Sequence, residues 1–445
     1  MNALQFTSLA LLCASASALS LAAEQASPGG FIEDGSLTLT SRNFFFSRDF
    51  RDPGAARSYR REWAQGFLAR YESGYTQGTV GVGVDAHAAL GLRLDSGRER
   101  SGTALLPFDR NGEPADEYSY AGAALKARYG KTVLKMGDLM PTAPVFAVSS
   151  TRLFTSTARG VQLISEELPD TFIDAGYFTA IRDGSGSTNR DGAIDLVYAG
   201  TLDAPSMRYL GGRHAFSEQL SLGLYAARLE DVWNQFYAKA GFVLPLAPER
   251  SLAFDFDAYD TRSEGRRLAG QIDTLAWSFA AAYRHSAHTL TLAHQRINGD
   301  TPFDYVRMDG VNPGDSIYLA NSSQYSDFNS PNESSVQLRY DLNLTAYGVP
   351  GLTLMARYVR GDIDGSGYVD ADGPYGYAAA PGKEWERDLE AKYVMQGGMA
   401  KGLSVRLRHA THRGTGGDID ELRIITEYPF DIRNRAMNPT FKPAA

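Results

Sequence analysis

Residues 403–413 read LSVRLRHATHR. Leu403, Val405 and Leu407 alternate with Ser404, Arg406 and Arg408, so an extended chain sends the two sets to opposite faces. One face is apolar, and the other carries two arginines about 7 Å apart at a rise of roughly 3.4 Å per residue. The same period recurs along the chain. LSLGLYA (220–226) sets Leu220, Leu222 and Leu224 against Ser221, Gly223 and Tyr225, and FYAKAGFVL (236–244) sets Phe236, Ala238 and Phe242 against Lys239. LAFDFDAY (252–259), VQLRYDLNL (336–344), LTLMARYV (352–359), LEAKY (389–393) and ELRIITEYPF (421–430) repeat it. Their polar faces carry Asp255 and Asp257, Arg339 and Asp341, Arg357, Lys392, and Arg423 with Glu427.

Short links such as PLAPERS, SAH and GVPG alternate with long polar loops rich in Gly, Asp, Asn and Ser. Short turns at one end and long loops at the other are the pattern of an outer-membrane β-barrel. A soluble β-sandwich alternates in the same way, but asymmetric loops and about 400 residues of unbroken strand pattern favour the barrel. The expected fold is all-β, a single transmembrane antiparallel barrel with no linker and no second domain. Its apolar face meets lipid and its polar face a water-filled lumen, so Arg406 and Arg408 point into a pore.

Composition is consistent with that architecture. Of 445 residues, 43% are hydrophobic and 22% charged, with 45 Gly, 24 Tyr and 22 Phe, a mixture suited to strands, turns and aromatic girdles. The 44 Lys and Arg against 52 Asp and Glu give a formal charge of −8, which argues against a nucleic-acid partner. No window beyond the N-terminus approaches 18 consecutive apolar residues, the length a spanning helix needs. Barrel strands need only about 9–11 residues each, and hydropathy averages their signal away.

The N-terminus, MNALQFTSLALLCASASALSLAAEQ, is an apolar run followed by small residues. Ser20 and Ala22 fit the −3 and −1 positions of a signal-peptidase site, so residues 1–23 are expected to be a signal peptide cut after Ala22 or Ala23. The only cysteine, Cys13, lies inside it, which leaves a mature chain with neither a disulfide framework nor a thiol nucleophile.

Enzyme and metal motifs are weak. DIDGSGYVDADG (362–373) places Asp362, Asp364, Ser366, Gly367 and Asp370 at positions 1, 3, 5, 6 and 9 of a calcium loop, but Gly373 stands where the bidentate Glu belongs. It reads as an external loop. His409 and His412 are three apart on a strand and face opposite ways, no HExxH occurs, and no P-loop Lys follows the glycine-rich GYTQGTVGVG. No catalytic residue, metal site or cofactor is expected. The competing readings are an outer-membrane hydrolase and a soluble exported binding sandwich.

Several long segments resemble the OprD family of substrate-specific porins: GFIEDGSLTLTSRNFFFSRDFR, REWAQGF, SGYTQGTVGVGVDAHAALGLRLD, ALKARYGKTVLKMGDLMPTAPVFA, LEDVWNQFY, NGDTPFDYV, GDSIYLANSSQYSDFN, TAYGVPGLT and WERDLEAKYV. The resemblance runs from about Gly30 to Ile432. It implies about 18 strands, a pore narrowed by inward-folded loops, and passive uptake of small carboxylate-bearing solutes such as amino acids, small peptides or aromatic acids across the Gram-negative outer membrane. It also implies a ladder of basic residues along one lumen wall, carried over to Arg48, Arg152, Lys392, Arg406, Arg408 and Arg423. Asp315 and Ser316 map to an opposing acidic loop, and Tyr198 to the narrow region. Strand parity independently gives Lys392, Arg406, Arg408 and Arg423 lumen faces; Arg48, Arg152 and Asp315 rest on the resemblance. The expected surroundings are outer-membrane lipid and lipopolysaccharide, with the protein a monomer or weak trimer. The barrel is expected over residues 24–432. A C-terminal extension, 433–445, departs from the family's usual end, and GDIDELR makes a short external loop.

Intact mass of the outer-membrane protein is expected to match a chain beginning at Ala23 or Glu24; retention of Met1 would defeat the signal-peptide reading. Deleting 433–445 is expected to leave a heat-modifiable barrel, checked by electrophoresis of boiled and unboiled protein.

Overall fold

The computed structural model describes residues 30–182, 194–307, 317–364, 373–376, 381–414 and 417–431. The expected signal peptide and the 433–445 extension lie outside them. Eighteen strands of 8 to 16 residues form one sheet. Each pairs antiparallel with its neighbours in the chain, and the first, Ser36–Phe50, pairs with the last, Ile419–Asp431. The sheet is therefore closed and has no free edge, as a spanning sheet must be in a medium that offers no hydrogen bonds. A single 3-10 turn, Leu344–Tyr347, joins two of the strands, and among the described residues no helix is long and apolar enough to cross a membrane.

Turns at one end shrink to two residues, 130–131, 248–249 and 286–287, while the other end carries connections such as 96–116, 140–156 and 299–332. The short end is the periplasmic one in barrels of this kind. Two links differ from the sequence reading. PLAPERS is not a seven-residue loop, because Trp233–Ala247 continues through Pro245 by a register shift that removes the need for its missing N–H. Leu344 does not extend its strand, because the Asn343 side chain accepts the N–H of Thr345 and starts the 3-10 turn.

The period-two pattern sorts the side chains as expected. Leu338 and Leu407 stay 50% and 45% exposed on the outer face, where lipid covers them. The inner face is less watery than alternation suggested. Tyr209, Tyr225, Tyr237 and Tyr259 line it and are buried, because two long connections fold inward onto them. In the 140–156 connection a small hairpin, Thr142–Ala143 with Phe146–Ala147, packs Phe146 on Phe178 at 4.8 Å. The Tyr259 hydroxyl donates to the Pro144 carbonyl at 3.1 Å. Further along, Leu153 and Phe154 fill the space over Gly66, where a Cβ would meet them at 3.0–3.1 Å.

The second inward connection, 317–332, is held by carboxylates of the wall. Glu386 accepts the N–H groups of Tyr325 and Ser326, both at 2.8 Å. Glu384 accepts the Ser326 hydroxyl at 2.9 Å, and Gln295 donates to the carbonyls of Asp327 and Phe328. Arg357, paired with Asp388 at 2.5 Å, donates to the Ser322 carbonyl at 2.9 Å. A loop inside a barrel has no sheet partner for its backbone, so wall side chains supply the partners.

Glu386→Ala is expected to leave the two half-buried N–H groups of Tyr325 and Ser326 without this acceptor, at about 1 kcal/mol each, and so to loosen this loop. Single-channel recordings should show larger and noisier conductance at unchanged heat-modifiability, with Glu386→Gln in between. A conductance trace identical to that of the parent protein would refute this anchoring.

Candidate functional site

The basic residues named from the sequence fall on four neighbouring strands and one inward loop. Backbone register fixes their order: Lys392 lies opposite Arg406, Glu390 opposite Arg408, Arg408 opposite Arg423, and Arg423 opposite Phe46. One step nearer the long-loop end, Glu421 lies opposite Arg48. The basic residues thus descend the inner wall from Arg48 near the long loops to Lys392 near the short turns.

At the upper end three guanidiniums surround one ring. Arg423, Arg48 and Arg152 stand 4.6, 5.4 and 5.5 Å from the centre of Phe46. Phe46 offers its negative ring face to them, but a ring cannot offset three like charges. Glu421 supplies the counter-charge: it pairs with Arg48 at 2.7 Å and with Arg423 at 2.6 Å, and accepts from Gln324 of the second inward loop at 3.0 Å. Arg152 points its Nε at the Thr103 carbonyl, 2.8 Å away, while Glu62 gathers the N–H groups of Gly102, Thr103 and Leu105. Three loops and three strands meet there. Arg48, Arg152 and Arg423 are buried.

The lower basic residues are more open. Arg406 and Arg408 share Glu390 at 3.0 and 3.1 Å, their side chains 36% and 19% exposed. Lys392 is half-buried and makes no ion pair with a described residue. Glu427 pairs with Arg42 at 2.9 Å. Arg42 also donates to the carbonyls of Arg152 and Leu153, fixing the inward loop from below. Sequence reasoning missed Arg42. Its strand reads Phe44, Phe45, Phe46, apolar on both faces, so alternation there says nothing about which side is inward. Glu386 and Asp388 could have been found, since they share the parity of Glu390 and Lys392.

Tyr198 lies in the packed region at the base of the second inward connection. Its hydroxyl donates to Asp327 at 2.6 Å, and its N–H and that of Ala199 donate to Asp304. Tyr305 and Ser322 also donate to Asp327, each at 2.8 Å. Burial pushes the Asp304 carboxyl up to about 6 against the pull of these backbone donors, and raises that of Asp327 against its hydroxyl donors. Both directions mark a dry, packed loop base. Asp315 and Ser316 lie outside the described residues, as do Ser366, Gly367 and Asp370 of the calcium-like loop. Asp362 pairs with Lys383 at 3.4 Å.

A family model described as outer membrane porin, OprD family, matches residues 29–432. Porin D of Pseudomonas aeruginosa is 49% identical over 420 residues, covering 92% of this chain and 94% of the relative. The crystal structure of Pseudomonas aeruginosa OprD superposes with a TM-score of 0.80 at 47% identity, over 92% of this chain and 98% of that one. OpdK of the same organism, solved with vanillate, superposes with a TM-score of 0.81 at 34% identity, over 90% and 100%. Relatives and fold together locate the protein in the Gram-negative outer membrane. A closed 18-stranded barrel, narrowed by inward loops and matched over almost its whole described length, belongs to the OprD family of outer-membrane porins.

Proposed function

We propose that this porin passes small carboxylate-bearing solutes, such as amino acids, small peptides or aromatic acids, passively along the basic wall. The observation that carries this reading is the register-aligned series of cations with too few paired carboxylates. Arg48 and Arg423 share Glu421, Arg406 and Arg408 share Glu390, and Lys392 makes no ion pair with a described residue, so these five rungs have two paired carboxylates between them. OpdK, whose solved structure holds vanillate, an aromatic carboxylate, supports the same solute class.

The roles divide by exposure. Arg48, Arg152 and Arg423 shape the narrow region and set its potential, being committed to Glu421, the Thr103 carbonyl and Phe46. Arg408, Arg406 and Lys392 are the open rungs that meet the solute. At about 4 Å and an effective dielectric near 20, one carboxylate contact is worth up to about 4 kcal/mol before desolvation. Glu390 tempers two rungs at once, which keeps the well shallow enough for release; conduction requires sites that bind and let go. Asp315 and Ser316 belong to this proposal as the facing side for an ammonium or hydroxyl group, and Tyr198 as a support of the narrow region.

Arg406→Gln and Arg408→Gln are each expected to lower carboxylate flux several-fold in liposome swelling, with little change for a neutral solute of equal size. A loss of ~1.4 kcal/mol at the limiting rung means about tenfold in occupancy. The double variant should lose anion preference in reversal potentials, and raised salt should mimic it by screening. Stability should hardly move, since a partly exposed ion pair contributes about 1 kcal/mol or less. Arg423→Gln should reduce carboxylate flux and also alter neutral flux, because it takes a partner from Glu421. Unchanged carboxylate flux in the double variant, with the barrel intact, sinks the proposal.

A further inference from the structure

The outer surface carries a polar cluster that transport does not use. On strand Leu352–Ile363 the outward residues, read from the short-turn end, are Leu354, Ala356, Tyr358, Arg360 and Asp362. On Gly382–Val394 they are Tyr393, Ala391, Leu389, Arg387, Trp385 and Lys383. Both series change from apolar to aromatic and charged toward the long-loop end, the level where the outer leaflet's headgroups begin. Register places Tyr358 opposite Arg387 and Arg360 opposite Trp385. The four side chains make a square, with the aromatics on one diagonal and the arginines on the other. The rings stack with centroids 5.8 Å apart and 28° between planes.

Two neighbouring outward cations are neutralised from within the protein, Lys383 by Asp362 at 3.4 Å and Arg413 by Asp420 at 3.0 Å, as is Arg262, on a more distant strand, by Asp260 at 3.0 Å. Arg360 and Arg387 are exposed and make no ion pair with a described residue; Arg387 donates to the Thr411 hydroxyl at 3.2 Å. Two guanidiniums with no ion pair among the described residues, at a lipid boundary, suit anions from outside the chain, and their planar forks fit phosphate oxygens. The aromatic pair between them offers apolar ring surface, Tyr358 being 43% exposed, the kind of surface on which a sugar ring lies at the wet edge of a membrane.

We propose that Tyr358, Arg360, Trp385 and Arg387 form an outward-facing site for the phosphorylated disaccharide headgroup of the outer-leaflet glycolipid. A sugar ring rests on the Tyr358–Trp385 pair, and the phosphates meet the two guanidiniums. The site rests on the outer-membrane location and not on the solute the pore carries.

Native mass spectrometry of the detergent-purified barrel tests it, with bisphosphorylated lipid A, its dephosphorylated form and phosphatidylglycerol as probes. Lipid A is expected to be retained at least tenfold more tightly than either other lipid. The Arg360→Gln/Arg387→Gln double variant should lose that preference, and Arg262→Gln should keep it. Equal retention of phosphatidylglycerol, equal retention of dephosphorylated lipid A, or an unchanged double variant would overturn the site. The lipid comparison on the unmodified protein stands even if the double variant fails to fold. Neutral and carboxylate flux in that variant should match the parent protein, which separates this test from that of the ladder.

Discussion

A backbone amide in the middle of a bilayer has no water to bond, and every strand in this chain answers that constraint through its neighbour. Closure of Ser36–Phe50 on Ile419–Asp431 is the step on which the rest depends. An open edge there would expose a row of N–H and C=O groups to hydrocarbon, at several kcal/mol for each unsatisfied group. Closure also creates an inside. Once the sheet is a tube, alternate residues no longer choose between core and water but between lipid and lumen, and the lumen becomes the place where charge can be kept.

Charge inside the tube then has to be organised. Guanidiniums crowded around Phe46 repel one another, and the arrangement holds because Glu421 bridges Arg48 and Arg423 while Arg152 turns to a backbone carbonyl. The same carboxylate accepts from Gln324, so the counter-ion that makes the cations tolerable also fastens the loop that narrows the passage. Glu386 and Glu384 act likewise at Tyr325 and Ser326. Constriction and electrostatics are therefore one construction. A wall of cations without these acids would repel itself open, and a wall of acids without the arginines would not carry a positive potential.

The site was legible wherever a regular strand carried it. Lys392, Arg406, Arg408 and Arg423 were placed on the inner wall by alternation, because Leu389, Leu407 and Ile424 beside them are unambiguously outward. Arg48 and Arg152 were not readable in that way. Arg48 follows three phenylalanines that are apolar on both faces, and Arg152 sits in a connection with no period at all; both came from resemblance. Arg42 escaped for the first of these reasons. Leu344 was misread because its apolar side chain continues the period while the Asn343 cap ends the strand, a local hydrogen bond that alternation does not register.

What the sequence by itself determined is the side each strand residue faces, and with it the barrel, the apolar belt and the cationic wall, since a period of two follows from backbone geometry. Strand order follows as well, because each short turn forces neighbours in the chain to be neighbours in the sheet. Tertiary structure alone decided which cation meets which carboxylate and how open each one is. Those pairings join residues far apart in the chain, such as Arg48 with Glu421 and Arg42 with Glu427, and depend on the stagger at closure and on where two aperiodic loops come to rest. Neither quantity has a local signal. The half-buried rungs Arg406 and Arg408 and the fully buried Arg423 carry the same alternation in the sequence, and only the loop lying over one of them makes the difference.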